Sequence, residues 1–395
     1  MTPAARVQMA IDLLDQILAA ARNRGAAADV VIARWFAERR FAGSKDRRAV
    51  RTLVYDAIRH CGEVPVSGRA AVLALAMRDP ALAALFDGSH YGPAAIVEGE
   101  SVAPAGVAPA WLEAAFGASG LDAEERAALL DRAPLDLRVN RLKTTPDAIA
   151  ALFDGARALP FAPDALRLPE ETAVDRTEAY AAGLFEVQDG GSQLVSALAG
   201  AAPGMTVIDL CAGGGGKTLA LAAAMDNRGT ILACDVDRPR LSRLMPRAAR
   251  AGVTIAETLL LDPGREAELL ADWRERADLV LVDAPCSGTG TWRRNPEARW
   301  RLTQAQLDRY VDTQAHLLDV AARLVRPGGT LIHIVCSLLD AEGAGQVERF
   351  LAAQPGWSAE PLAAPAGRPQ GQGLRLTPRH DTTDGFFVAK LVRQC

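Results

Sequence analysis

No apolar run in this 395-residue chain approaches the ~20 residues that a membrane span needs, and the densest, residues 70–77, is far too short. The opening stretch MTPAARVQMAIDLLDQIL lacks a basic start followed by an apolar block. No secretory signal is visible, so a cytoplasmic location and no membrane partner are expected. No C-x-x-C pair occurs among the six cysteines, Cys61, Cys211, Cys234, Cys286, Cys336 and Cys395. That argues against a zinc site, and a scattered set in a long chain does not read as a disulfide framework. Free thiols in a reducing compartment, and no metal, are the expectation. Nor does one sign of charge dominate: the formal net charge is -4, which speaks mildly against a protein that coats nucleic acid.

What is present is ordinary for a globular protein, with 49% hydrophobic and 23% charged residues, and the length allows two or three domains. One segment departs from the average. Between Arg22 and Arg59 stand Arg24, Arg34, Arg39, Arg40, Lys45, Arg47, Arg48 and Arg51, opposed only by Asp29, Glu38, Asp46 and Asp56. A locally basic module on an acidic protein suits docking on phosphate, although a solvated helix surface would read the same way.

Helical spacing dominates residues 1–130. Val7, Ile11, Leu14 and Leu18 share a face, and Ser44 stands as the N-cap of a helix carrying Val50, Leu53, Val54, Ala57 and Ile58 inward. Arg47, Arg48, Arg51 and Arg59 then face outward together. Residues 88–109 are rich in Gly, Pro and Ala and read as a connector. Residues 131–188 form a small α/β module, with strands at LRVNRL and DALRLP and a helix at PDAIAALF. From 189 to 395 the pattern turns to buried strands, TVIDL, TILACD, TLLLD, DLVLVD and TLIHIVC, alternating with amphipathic segments at 218–225, 240–251 and 304–324. This predicts an α/β doubly wound, Rossmann-like sheet. Ligands in such sheets bind beyond the carboxyl ends of the strands.

The residues after each strand carry the chemistry. DLCAGGGGKT follows the first, but Cys211 occupies the glycine position a P-loop requires. Asp235 ends the second strand, where it suits the two hydroxyls of an unphosphorylated ribose, and Asp262 ends the third, near an adenine amino group. Each aspartate taken singly reads better as a helix N-cap. Together they suit a cationic adenosine ligand such as S-adenosylmethionine, with NAD still open. The fourth strand ends in DAPCSGTG, placing Asp283 and Cys286, and the fifth in HIVCS, placing Cys336. Neighbouring strands lie ~4.8 Å apart, so two thiols and a carboxylate would meet in one cleft.

DLCAGGGGKT, ACDVD, DAPCSGTG followed by WRRNPEARW, TDGFFVAKL, LRVNRLKT and VQDGGSQL together resemble the RsmB/Sun family of RNA cytosine-5 methyltransferases. The resemblance spans about residues 134–393, and the basic N-terminus looks like that family's NusB-like extension. It implies a class I S-adenosylmethionine-dependent methyltransferase domain that makes 5-methylcytosine. Cys336 would be the nucleophile that adds to cytosine C6, Cys286 would assist product release, Asp283 would bond the base near N3, and Lys217 would lie by the cofactor. Cys211, Ala212, Gly213, Gly214, Gly215, Gly216, Lys217, Asp235, Asp262 and Asp283 would hold the cofactor. RNA would be the partner, ribosomal first and transfer RNA second, met by Arg47, Arg48, Arg51, Arg293 and Arg294, with Arg299 and Arg301 in the same cluster. A monomer is expected.

Three segments depart from the family's pattern. Gly213-Gly214 replaces Ala-Pro, Val335 replaces the threonine before the nucleophile, and Asp340-Ala341-Glu342-Gly343 replaces Pro-Glu-Glu-Asn. Val335 favours a rival reading, an RNA-binding or ribosome-assembly protein that kept the fold without the catalysis. An NAD-dependent enzyme would have no use for Cys286 and Cys336 where they stand.

Overall fold

The computed structural model describes residues 1–23 and 25–395; Arg24, counted above among the basic residues, lies outside them. The chain divides into two compact units, Met1–Asp131 with Thr291–Thr303, and Arg132–Gly290 with Gln304–Cys395.

The first unit is helical. Helix α1 (Pro3–Arg22) starts at Thr2, whose hydroxyl accepts from the Ala5 N–H at 3.2 Å, and buries Val7, Ile11, Leu14 and Leu18 as their spacing requires. Helices α2 (Ala28–Glu38), α3 (Ser44–His60) and α4 (Gly68–Ala76) complete the core. On α3, Val50, Val54, Ala57 and Ile58 are buried and Leu53 packs at the edge. Ser44 is the first helical residue rather than the cap; Gly43 holds the cap position and supplies no side-chain bond. Gly68 is where α4 meets α1: a Cβ there would lie 2.2 Å from the Ile11 carbonyl oxygen.

Residues 291–303 were expected to continue the catalytic domain, but they cluster with these helices. The reason is local bonding. Glu297 accepts from the Ala28 N–H at 2.8 Å and so caps α2, while Arg299 donates to the Ile58 and Cys61 carbonyls at the end of α3. Trp292 is fully buried against Phe116, ring centroids 5.3 Å apart.

The second unit holds two sheets. Strands β1 (Leu135–Val139), β2 (Arg157–Leu159), β3 (Ala162–Leu168) and β4 (Phe185–Val187) pair antiparallel in the order β2-β3-β1-β4. The larger sheet contains β5 (Thr206–Asp209), β6 (Thr230–Asp235), β7 (Ala256–Leu260), β8 (Ala277–Asp283), β9 (Val325–Val335), β10 (Trp357–Glu360), β11 (Arg368–Gln370), β12 (Gly373–Leu376) and β13 (Phe386–Arg393). Its order is β11-β12-β13-β9-β8-β5-β6-β7, with β10 on β13. Pairing is parallel from β9 through β7, and β13 runs antiparallel to β9. This is the class I methyltransferase arrangement. The two sheets belong to one unit because Asp136 of β1 accepts from the Gly190 N–H at 2.9 Å and binds Arg167, which reaches the Thr382 carbonyl at 2.9 Å. A boundary at 188 therefore falls inside a bonded joint.

The order in which successive strands are added to the large sheet reverses between β5 and β8. The crevice outside their carboxyl ends is the switch point, and the residues singled out from the sequence cluster there.

Candidate active site

The loop after β5 is shaped by glycine. Gly213 has φ +54° and Gly215 φ +85°, left-handed values that side chains resist, and a Cβ on Gly215 would sit 2.6 Å from Leu244. The helix Gly216–Ala224 starts at once, so Lys217 leaves its first turn. Two arginines hold the loop's carbonyls. Arg247 donates to Gly214 O at 2.5 Å and to Glu186 at 2.8 Å, and Arg138 of β1 donates to Gly216 O at 2.6 Å. The small sheet thus braces the glycine loop.

Three carboxylates end three strands around this loop. Asp235 accepts from the Gly213 and Asp237 N–H groups, both at 2.7 Å, which leaves each oxygen one further lone pair. Asp209 is fully buried; one oxygen accepts from the Thr218 hydroxyl at 2.7 Å and the other has no partner. Burial pushes the Asp209 carboxyl up to about 7, against the pull of the Thr218 bond and with help from the Asp283 charge. Asp283 pairs with Lys217 at 2.6 Å, and the Lys217 ammonium lies 5.6 Å from the centre of the Phe386 ring. Burial alone would depress the Lys217 pKa. The charge and hydrogen bond of Asp283, with smaller contributions from Cys336 and Asp209, outweigh it and raise the value above that of ordinary lysine.

Beyond β8 and β9 the two sulfurs meet, Cys286 Sγ and Cys336 Sγ 3.4 Å apart. The Cys286 thiol is held well above the usual cysteine value by its bond to Cys336 first, then by burial and by the charges of Cys336 and Glu342. Burial, reinforced by Asp209, Asp283 and Asp235, likewise keeps Cys211 a thiol. Cys336 is the sulfur that Cys286 touches.

Lys217, Asp283, Cys286 and Cys336 are therefore brought together, as are Asp235 and the loop 211–216. Asp262 lies just past Leu261, whose N–H bonds Asp235 O at 2.9 Å; its side chain is exposed, with Arg265 at 3.6 Å. In the helical unit, Arg48 and Arg51 are exposed, but Arg47 donates to Ala42 O at 2.7 Å and packs on Phe36, so the three do not form one outward row. Arg294 is exposed and Arg293 buried. Arg299 is wholly buried among carbonyls, and Arg301 donates to Gly25 O and Ala26 O, which leaves neither free for phosphate. Asp209 was passed over in the sequence although the rule applied to the second and third strands, an acidic residue at the strand end, finds it at the first. Glu342 offered no such signal, because its partners come from three separate segments.

An orphaned, buried carboxylate oxygen beside a glycine loop and two further acids fits a cationic adenosine ligand. Among the described residues no cluster suits a metal ion.

Residues 197–392 match the family described as 16S rRNA methyltransferase RsmB/F. Over 339 residues the chain is 33% identical to the ribosomal RNA small subunit methyltransferase B of Sodalis glossinidius, covering 81% of this chain and 75% of that protein. The chain belongs to the RsmB/F family. Another family member, from Synechocystis sp. and named a probable ribosomal RNA small subunit methyltransferase B, is 38% identical over 272 residues, 65% of this chain. The chain spans only 59% of that relative's length. The crystal structure of PH0851 superposes with a TM-score of 0.77 at 25% identity, covering 99% of each chain.

Proposed function

We propose that this protein is an S-adenosylmethionine-dependent RNA methyltransferase that forms 5-methylcytosine, in small-subunit ribosomal RNA first and transfer RNA second. The observation that carries the proposal is the 3.4 Å contact of Cys286 and Cys336 beside the Lys217–Asp283 pair. A redox enzyme on the same sheet needs neither thiol.

The glycine loop 211–216, Asp235 and Asp262 would hold the cofactor's nucleoside, and Asp209 with Asp283 would face its positive charge. When bound, S-adenosylmethionine supplies an electrophilic methyl group. Cytosine C5 is too weak a nucleophile to take it unaided. Cys336 thiolate adds to C6, forming the S–C6 bond and moving the ring's π electrons toward C5, which splits one difficult step into two. Cys286, held as a thiol, donates its S–H to that thiolate beforehand. Asp283, oriented by Lys217, bonds the base near N3 and its amino group. After C5 is methylated its proton leaves to water, the C–H electron pair re-forms the C5–C6 double bond, the S–C6 bond breaks, and its electron pair returns to the Cys336 sulfur, with the Cys286 S–H bonding the departing thiolate. The base must be unpaired or flipped out to be reached. Exposed Arg48, Arg51 and Arg294 suit phosphate contacts.

A catalytically impaired protein is the rival, because Val335 lacks the family's hydroxyl. Val335 is fully buried in the apolar core, and hydroxyls beside the thiols come instead from Ser287, Ser337 and Thr289. That weakens the rival. Bisulfite mapping of ribosomal and transfer RNA from a deletion strain tests the proposal. A specific cytosine should lose its protection, and an unchanged map would end it.

A pH dependence follows from Asp209. Below about pH 7 its carboxyl carries a proton that a bound cation expels. Cofactor affinity should weaken as pH falls from 7, by at most about tenfold per unit. Asp209→Asn should flatten the slope in calorimetric titrations between pH 5.5 and 8. A flat wild-type profile would show that the cofactor does not face this carboxyl.

A further inference from the structure

One buried carboxylate of the catalytic unit takes no part in the chemistry above. Glu342 follows β9 by seven residues after Val335 and is fully buried, with neutral donors for all its bonds. One oxygen accepts from the Ser287 N–H at 2.8 Å and from Gln314 Nε2 at 3.1 Å. The other accepts from the Ser287 hydroxyl and from the Ser337 hydroxyl at 2.5 Å. Four lone-pair sites meet four donors, which is how a carboxylate without a counter-ion is tolerated in an interior.

The identity of the partners matters more than their number. Ser287 follows Cys286 and Ser337 follows Cys336, so one carboxylate grips the neighbours of both thiols. The grip is itself anchored. Gln314, from the helix Gln304–Leu324, also donates to Pro285 O at 2.9 Å and accepts from Gln346 at 3.2 Å. The Glu342 carbonyl meets His333 Nε2 at 2.9 Å. Thr289 adds a contact with Ser337 at 3.1 Å and accepts from the Leu338 N–H at 2.9 Å. The loops after β8 and β9 have no strand pairing of their own at the sulfurs. Backbone bonds join the two loops on either side of the sulfurs, from the Ala284 N–H to Ile334 O at 2.9 Å and from the Gly290 N–H to Cys336 O at 3.0 Å, and the carboxylate adds a side-chain grip on the residues next to both thiols.

We propose that Glu342 is a positioning residue that fixes the Cys286 and Cys336 sulfurs against one another; the inference rests on the two-thiol reading above. A nucleophile and its partner act together only while their separation holds, and a displacement near 1 Å is costly. The Glu342 charge also helps to keep Cys286 protonated.

The test compares Glu342→Ala with Glu342→Gln, each first checked for a cooperative melting transition and for S-adenosylmethionine affinity. The alanine variant should lose about 100-fold in kcat while KM for RNA and cofactor affinity stay unchanged. The glutamine variant should recover most of kcat, because serine hydroxyls rotate to accept as readily as they donate. Phenylarsine oxide supplies a readout that needs no activity. It bridges two adjacent thiols, forming two As–S bonds while the two S–H protons leave with its oxygen as water. Wild type and Glu342→Gln should be bridged alike, and Glu342→Ala about tenfold more weakly. If the alanine variant does not fold, Ser337→Ala, which removes one bond of the four, should move both readouts in the same direction. Equal bridging in every variant, an unbridged wild type, or a glutamine variant as impaired as alanine would overturn the assignment. If no form methylates RNA yet bridging still falls in Glu342→Ala, the catalytic reading fails and the positioning of the thiol pair stands.

Discussion

Cys336→Ala is expected to abolish methyl transfer and to leave no covalent RNA complex, whereas Cys286→Ala should accumulate one. The contrast follows from two sulfurs 3.4 Å apart with unequal surroundings. Cys286 is pinned as a thiol by Cys336, by burial and by nearby negative charge. In the proposed mechanism its S–H stabilises a thiolate next door, and Cys336 is the attacking sulfur. Deleting the attacking atom removes the intermediate altogether, a loss of about four to six orders of magnitude in kcat. Deleting its partner leaves attack possible but slows release, so the S–C6 bond should persist through denaturing electrophoresis. Incubating each variant with S-adenosylmethionine and unmodified RNA separates the cases. Identical behaviour of the two would dissolve the division of labour, and an adduct on Cys286 would reverse it.

The strands of the large sheet were readable because burial leaves a local mark. β5, β6, β8 and β9 are β-branched runs closed by turn residues, and the chemistry sits directly behind them, where chain order alone places it. The third run was read at TLLLD, yet β7 spans Ala256–Leu260. This strand lies at the sheet edge and is half exposed, so its apolar residues need not mark its ends. The helix expected over 240–251 is broken into Arg238–Leu241 and Leu244–Ala251 for a similar reason, since only the second piece presents a continuous buried face. What escaped the sequence shares one property. Arg138 and Arg247 hold loop carbonyls 78 and 33 positions away, and Glu342 takes two of its three partners, Gln314 and Ser287, from 28 and 55 positions away, and no local pattern announces such bonds. The helical unit illustrates the same limit: nothing in WRRNPEARW says that it will leave the catalytic domain and fill a groove among α1, α2 and α3.

Arg299→Met should destabilise the helical unit by about 3 kcal/mol or more, the cost of stripping partners from several buried carbonyls. Arg299 is fully buried and its guanidinium donates to Ile58 O, to Cys61 O at 2.9 Å and to Pro296 O. The first two carbonyls belong to the end of α3, where helical geometry leaves acceptors unpaired and negative charge accumulates. Burial lowers the Arg299 pKa to about 10, which still leaves the side chain charged at neutral pH. A cation at this place therefore closes the helix and fastens residues 296–301 to it in one stroke. Arg299→Lys keeps the charge but replaces a planar fork with a point donor, so it should recover only part of the loss. Thermal unfolding gives the size of the effect, and hydrogen exchange of the last turn of α3 gives its place. The sequence, with four arginines behind DAPCSGTG, suggested a phosphate ligand instead. These alternatives part cleanly: below the melting transition the methionine variant should bind RNA with unchanged salt dependence, whereas a lost phosphate contact would lower the salt slope by about one.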